Sequence, residues 1–405
     1  MKILVVNADC LMRNSSANLC HLAYIRGLVD AGHEVSVLSA DGRDYMLDET
    51  MQIPENVHGF TIYGVSLYEK LSMRKSRNLV KKSIETDNGK SNLTSGSLNS
   101  KIKEIVRSLY GPHGIYLTFV HKACGFKLKE QFDVLLSIST PPASHLLAYK
   151  LLKRKNIRAT HWIQIWEDPW YCDVYGFNGS KRIFKEERKI LSYGEKICYV
   201  SPLTLKNQKK IYPESADKMY WQPLPAYYDG GEQLYKSYKN KYGYFGDYVP
   251  EARDLKPFYV AAKQEKIIVN ICGNPSNLFD STDRIYIHPR LSLSELKPIE
   301  DDTNILVFLC NRKGGQIPGK IYQYSATTKT ILFILDGTEE EKRVLKDYFS
   351  KFNRYIFCEN TVADITRAIN EIEGGCIGGV INRPLDCFTP EKVIEGILNG
   401  VEENI

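Results

Sequence analysis

No stretch of this chain comes near the roughly 20 consecutive apolar residues that a membrane-spanning helix requires. None of its ten cysteines, spread from Cys10 to Cys387, forms a Cys-x-x-Cys pair, and no Cys/His group has zinc-ligand spacing. Reduced, mostly buried thiols are therefore expected, and neither a metal nor a cofactor. No Gly-x-Gly-x-x-Gly follows the first apolar run, which argues against a nicotinamide dehydrogenase. No Gly-x-x-x-x-Gly-Lys-Ser/Thr marks a P-loop triphosphatase, and the Asp-x-Asp pair that anchors a metal-bridged diphosphate is also missing. A net charge of +6 is too small an excess to argue for nucleic acid. With 43% hydrophobic and 25% charged residues, a largely disordered chain is excluded.

What is present is an alternation of strands and helices. KILVV at residues 2–6 is a continuous β-branched run, expected as a strand buried on both faces rather than as a signal peptide. ANLCHLAYIRGLVDAGH follows at helical spacing, closed by Gly32, and then EVSVLSAD, which completes a βαβ unit and implies a parallel sheet. FTIYGV at 60–65, FDVLLSIST at 132–140, ATHWIQIWED and KICYVS continue the strands. WQPLPAYYDGG, with two prolines and two glycines, reads as a linker. A second series follows, with strands at YGYFGDY, KIIVNICG, NILVFLCN, TILFILDG and RYIFCE and helices between them. The length of 405 residues suits two cores. The expected fold class is α/β, two Rossmann-like domains facing across a cleft. Residues 1–228 form the first, 240–385 the second, and 386–405 a helix returning toward the first. The expected location is the cytoplasm.

Ligands of doubly wound sheets bind at the carboxyl ends of strands. There, Asn311 is followed by Lys313-Gly314-Gly315-Gln316, and Pro318-Gly319-Lys320 opens a helix. Proline suits a first helical turn, glycine lets a ligand approach the backbone, and the helix N-terminus with Lys320 offers positive charge. This is a diphosphate cradle, or a turn that merely joins strand to helix. Gly246 and Asp247 end another strand and Arg253 is expected to open the next helix, as a bidentate phosphate donor or a partner of Glu251. Gly273 and Asn274 end a third strand, a weaker signal.

In the first half, Trp166-Glu167-Asp168-Pro169-Trp170 puts two carboxylates and two indoles at one strand end. Such a set suits a sugar, whose C–H face packs on the rings, or else a buried tryptophan pair with a capping Asp168. His145 is a candidate sugar contact, and His161 lies within a strand. Asn14, Ser15 and Ser16 line an acceptor site or cap a helix. The basic stretch through residues 70–107, including Lys70, Arg74, Lys75, Arg77, Lys81 and Lys82, is a solvated face or a contact with anionic lipid at the inner side of the cell membrane.

The run Pro318-Gly319-Lys320-Ile321-Tyr322-Gln323-Tyr324-Ser325-Ala326, with Lys329 and ILFIL, resembles the donor-domain motif of the retaining GT-B glycosyltransferases of family 4. KILVV, AGHEVSVLSA, TPPASHLLAYKLL, WEDPW and CYVSPLTLKNQKKIYP extend the resemblance weakly over nearly the whole chain. It implies metal-independent transfer of a sugar from a nucleoside-diphosphate donor, held mainly by the second domain, to a glycan or lipid-linked acceptor. It gives Asp168, Arg253 and Lys320 catalytic roles. Gly246, Asp247, Gly273, Asn274, Asn311, Gly315, Gln316, Pro318, Gly319 and Gln323 fall to the donor, and Asn14, Ser15, Ser16, His145, Glu167 and Trp170 to the acceptor. The family has glutamate where this chain has Gln323 and an acidic residue where it has Gly315. That departure keeps a non-catalytic sugar-nucleotide binder on the same fold as the alternative.

Overall fold

Two all-parallel sheets carry the described part of the chain. The structure, a computed structural model, describes residues 1–41, 47–48, 50–65, 70, 113–172, 180–227, 240–376 and 378–399. The first sheet contains β1 (Lys2–Val6), β2 (Glu34–Asp41), β3 (His58–Tyr63), β4 (Gln131–Ser139), β5 (Arg158–Trp166), β6 (Lys196–Tyr199) and β7 (Met219–Trp221), in the order β3-β2-β1-β4-β5-β6-β7. The second contains β8 (Lys241–Phe245), β9 (Ile268–Cys272), β10 (Ile285–His288), β11 (Ile305–Leu309), β12 (Thr330–Leu335) and β13 (Tyr355–Glu359), in the order β10-β9-β8-β11-β12-β13. In both, the order reverses beside the first strand, between β1 and β4 and between β8 and β11. Such a reversal leaves a crevice at the strand ends. Strand composition follows position. Central β11 is buried at every residue, whereas edge strand β3 exposes alternate side chains.

The helices α1 (Ser16–Asp30), α2 (Tyr116–Ala123), α3 (Ala143–Lys153), α4 (Lys181–Tyr193) and α5 (Pro202–Ile211) accompany the first sheet. With the second come α6 (Lys256–Glu265), α7 (Leu293–Asp301), α8 (Lys320–Ser325), α9 (Glu339–Phe349) and α10 (Val362–Glu373). Gly32, at φ 80°, closes α1 as its position suggested. β3 begins two residues before FTIYGV. α2, α4, α5, α7 and β7 were not anticipated. α7 carries Pro298 inside it, which hides its period, although the Ser292/Glu295 capping box marks its start.

The last described helix, α11 (Pro390–Leu398), lies on α1. Gly27 of α1 sits so close that a Cβ there would collide with the Pro390 carbonyl. Tyr220 donates to the Ile397 carbonyl at 2.8 Å, and Lys196 to that of Asn399 at 2.7 Å. All ten cysteines are free thiols, seven of them buried. No helix among the described residues is long and apolar enough to cross a membrane. The expectations for residues 71–112, for the linker over 228–239 and for 400–405 lie outside the described residues.

Candidate functional site

The loop after β5 and the loop after β11 meet across the two sheets. Gln316 Nε2 donates to Asp168 Oδ1, whose other oxygen accepts from Thr140 Oγ1 at 3.3 Å. Beside them Ser201 Oγ, at the start of α5, donates to the Gly315 carbonyl at 2.5 Å. Gly315 has φ +70°, and a Cβ on it would stand 2.7 Å from that of Leu203. Glycine is therefore required here twice over, for the left-handed backbone and for the close approach. The carboxyl ends of the two sheets thus face each other. A second link runs through Asp48, which accepts from Asn14 Nδ2 at 3.0 Å and from the backbone N–H of Leu293 at the start of α7. Burial raises the Asp48 pKa, but hydrogen bonds from Thr50, Asn14 and Leu293 outweigh it and hold the carboxyl below its usual value.

On the second sheet the turns after β8 and β9 interlock. Asn274 N donates to Asp247 Oδ1 at 2.9 Å, Tyr248 N donates to the Asn274 carbonyl at 2.8 Å, and Gly273 leaves no room for a Cβ against the Gly246 carbonyl. Gly246, Asp247, Gly273 and Asn274 are therefore one surface. Arg253 is not the start of a helix, since α6 begins at Lys256. It belongs to the loop, its N–H bonded to the Val249 carbonyl at 2.7 Å. Its Nη1 lies 3.6 Å from where a Gly246 Cβ would be. Arg290, overlooked in the sequence, pairs with Asp247 at 3.4 Å. Two guanidinium groups thus border these turns.

The cradle differs from its sequence expectation in three ways. α8 has only six residues, so its dipole is short. Lys320 pairs with Glu300 of α7 at 3.0 Å, a partner hidden in the helix that was missed. Gln323 is 1% exposed and its Oε1 accepts from Tyr227 N at 2.6 Å, so it holds the chain entering the linker. Asn311 Nδ2 donates to the Gln316 carbonyl at 3.0 Å and shapes the loop from inside. Pro318 and Gly319 immediately precede α8, against Leu224 and Tyr227.

The indoles of the β5 loop do not form a sugar platform. Trp166 is fully buried and Trp170 is 8% exposed. The loop is clamped by buried Glu187, which accepts from Trp170 N at 3.3 Å, Tyr171 N at 2.6 Å and the Tyr212 hydroxyl at 3.0 Å. Burial pushes the Glu187 carboxyl up to about 7 despite these bonds. His145 lies beneath the site, fully buried. Its Nδ1 is 2.7 Å from Ser137 Oγ, its ring is 4.3 Å from that of Trp166, and burial takes its pKa down to about 3. Glu167 is buried too, bonded at 3.2 Å to His21 Nε2, whose Nδ1 meets Asn7 Nδ2 at 3.0 Å. His21 was missed because a lone histidine on an apolar helix carries no motif. Ser15 caps α1 by accepting from Asn18 N at 3.1 Å, and Ser16 is the first residue of that helix. His161 pairs with Glu195 at 2.9 Å. A small hollow at the ends of β1, β2 and β3, with room for little more than a water, is lined by Asp9, Arg13, Asp41, Val65, Tyr116 and Phe119 among others. Asp9 and Arg13 pair at 3.0 Å on its wall.

The sequence matches no protein-family profile, and no curated protein is significantly similar to it. Solved structures share its fold. HepE from Anabaena, in complex with UDP and glucose, superposes with a TM-score of 0.53 at 12% identity over 100% of this chain and 99% of its own. A glycosyltransferase from Rickettsia africae gives 0.54 at 12% identity, over 98% and 99%. The chain has the GT-B arrangement of two Rossmann-like domains.

Proposed function

We propose that this protein is a glycosyltransferase that moves a sugar from a nucleoside-diphosphate donor to a hydroxyl of a glycan or lipid-linked acceptor. The observation that carries the reading is the apposition of the two strand-end surfaces, joined by Gln316 and Asp168. In this reading residues 240–385 hold the donor and 1–228 the acceptor, with the final helix bridging back. Arg253 and Lys320 bind the diphosphate and stabilise the charge that develops on the leaving group. Backbone at Gly246, beside the Arg253 guanidinium, admits it closely. Retention, independence of metal and a place in surface-polysaccharide assembly follow the family resemblance. So does a cytoplasmic, peripheral membrane location. Asp168 orients a reacting hydroxyl once Gln316 yields it. The acceptor enters over the strand ends of the first sheet beside the Asp9–Arg13 pair, since Glu167, His145 and Trp170 are buried.

A second reading, a non-catalytic sugar-nucleotide binder or partner protein, is favoured by the engagement of Gln323 with Tyr227 and of Lys320 with Glu300. Thermal unfolding with UDP, GDP, ADP and CMP and their sugar nucleotides tests both. Uridine compounds come first, because HepE was crystallised with UDP. A ligand at about 100 times its Kd stabilises by about 2.7 kcal/mol, a rise in Tm of roughly 5–10 °C. Arg253→Ala is expected to abolish the rise. A nucleotide shift without sugar transfer or donor hydrolysis would select the second reading, and no shift with any nucleotide would sink the first.

A further inference from the structure

The helices on one face of the first sheet carry more than the whole net charge of the molecule. α2, α3 and α4 pack side by side over the face that buries Leu4, Val6 and Leu135. Residues 116–123, 143–155 and 181–193 contain ten lysines and arginines against two glutamates, in a chain whose total is +6. Everything else therefore sums to −2. Both glutamates are turned inward: Glu187 is fully buried and Glu186 reaches His113 at 3.4 Å. Arg188 pairs with Glu214 at 2.5 Å, and Arg154 caps the end of α2 through the Cys124 carbonyl at 3.2 Å. Lys153, Lys181, Arg182 and Lys185 make no ion pair among the described residues. Lys150 and Lys189 lie near Glu186.

The seam between α3 and α4 holds an exposed aromatic stack. The rings of Tyr149 and Tyr193 lie 4.1 Å apart at 19°, with Lys153 Nζ 5.5 Å and Lys189 Nζ 6.0 Å from the Tyr149 centroid. Tyr193 is 45% exposed. At the end of edge strand β3 Tyr63 is 37% exposed, between Lys122 of α2 at 5.0 Å and Lys70 at 5.1 Å. A tyrosine has an apolar body and a polar tip, and a lysine an apolar stem and a charged head, so both settle at a boundary between oil and water. A helical layer that repeats this pairing is matched to a surface bearing phosphates above hydrocarbon.

We propose that the α2–α3–α4 face docks on an anionic lipid bilayer, with its lysines at the headgroup phosphates and Tyr63, Tyr149 and Tyr193 at headgroup depth. Of the basic stretch at 70–107 it uses Lys70 alone, and it does not depend on the transferase reading. Sedimentation of the full chain with vesicles tests it, using phosphatidylcholine alone and phosphatidylcholine with about 30% phosphatidylglycerol at roughly 0.1 M salt. Binding is expected only to the anionic vesicles and is expected to fall as salt rises. Each basic residue near such a surface contributes roughly fivefold to the partition coefficient. Lys153→Glu with Lys189→Glu is therefore expected to weaken binding at least ~25-fold at unchanged Tm. The pair Lys263→Glu with Lys346→Glu, on the second domain, is expected to leave it unchanged. Equal binding to neutral vesicles, parental binding by the Lys153/Lys189 variant, or tighter binding to a DNA duplex than to vesicles would each overturn the proposal.

Discussion

The carboxamide of Gln323 receives the backbone N–H of Tyr227 where almost no water reaches, at 1% exposure. Removing it strands a buried donor, which costs about 1–3 kcal/mol. Gln323→Ala is therefore expected to lower the urea midpoint while keeping any nucleotide-induced rise in Tm. Loss of that rise at unchanged stability would return Gln323 to the ligand. The same lesson holds at Gly315 and Gln316. Their place after a strand marked them in the sequence, but their partners Leu203 and Asp168 lie more than a hundred residues away. A one-dimensional pattern identifies a strand end and cannot say which other strand end it meets. Lys320 was legible as a cation, while Glu300, which neutralises it, stood on a helix whose period Pro298 breaks.

Long periodic elements were the readable ones. β2, α9 and α10 stand where their apolar spacing put them, because burial and local propensity agree there. α4 was passed over, and its inward Glu187 is the anchor of the β5 loop. The folded chain holds the Glu187 proton more tightly than the unfolded chain, with a pKa of about 7 against 4.5. Its contribution to stability is complete below about pH 4.5 and is lost as pH rises through about 7. His145 has the opposite sign. Its pKa falls from 6.5 to about 3, so its contribution is complete above pH 6.5 and is lost on acidification. The two oppose each other between these ranges. Glu187→Gln leaves His145 alone. Between pH 6.5 and 5 the variant is expected to lose about 2 kcal/mol relative to the parent, read from urea unfolding. Parallel profiles would show that the two groups do not titrate in that window.

Across the whole molecule the repeated alternation of strand and helix announced two Rossmann-like halves, but the loop contacts that join them, Gln316 with Asp168 and Ser201 with Gly315, were not in the pattern. The apolar side of α11, Val393, Ile394, Ile397 and Leu398, is buried to within 1% on the first half of the molecule. Each such side chain contributes roughly 1.5–3 kcal/mol. All four tryptophans, Trp162, Trp166, Trp170 and Trp221, belong to the first sheet and its loops. Three of these indoles report the first half, while Trp221 also meets Tyr348 of α9 at 5.0 Å. A chain ending at Leu385 is expected to show a tryptophan-detected unfolding free energy lower by several kcal/mol, and so a lower urea midpoint, although every deleted residue follows the second sheet. An unchanged midpoint would mean that the first half stands without the helix.

The seat on α1, around Gly27, also orders events at the ribosome. Its occupant is made about 170 residues after β7, on the order of ten seconds or more at 5–20 residues per second. During that interval the nascent first half presents an uncovered apolar groove, the kind of surface that chaperones hold. Its folding is completed only after α11 has left the ribosome.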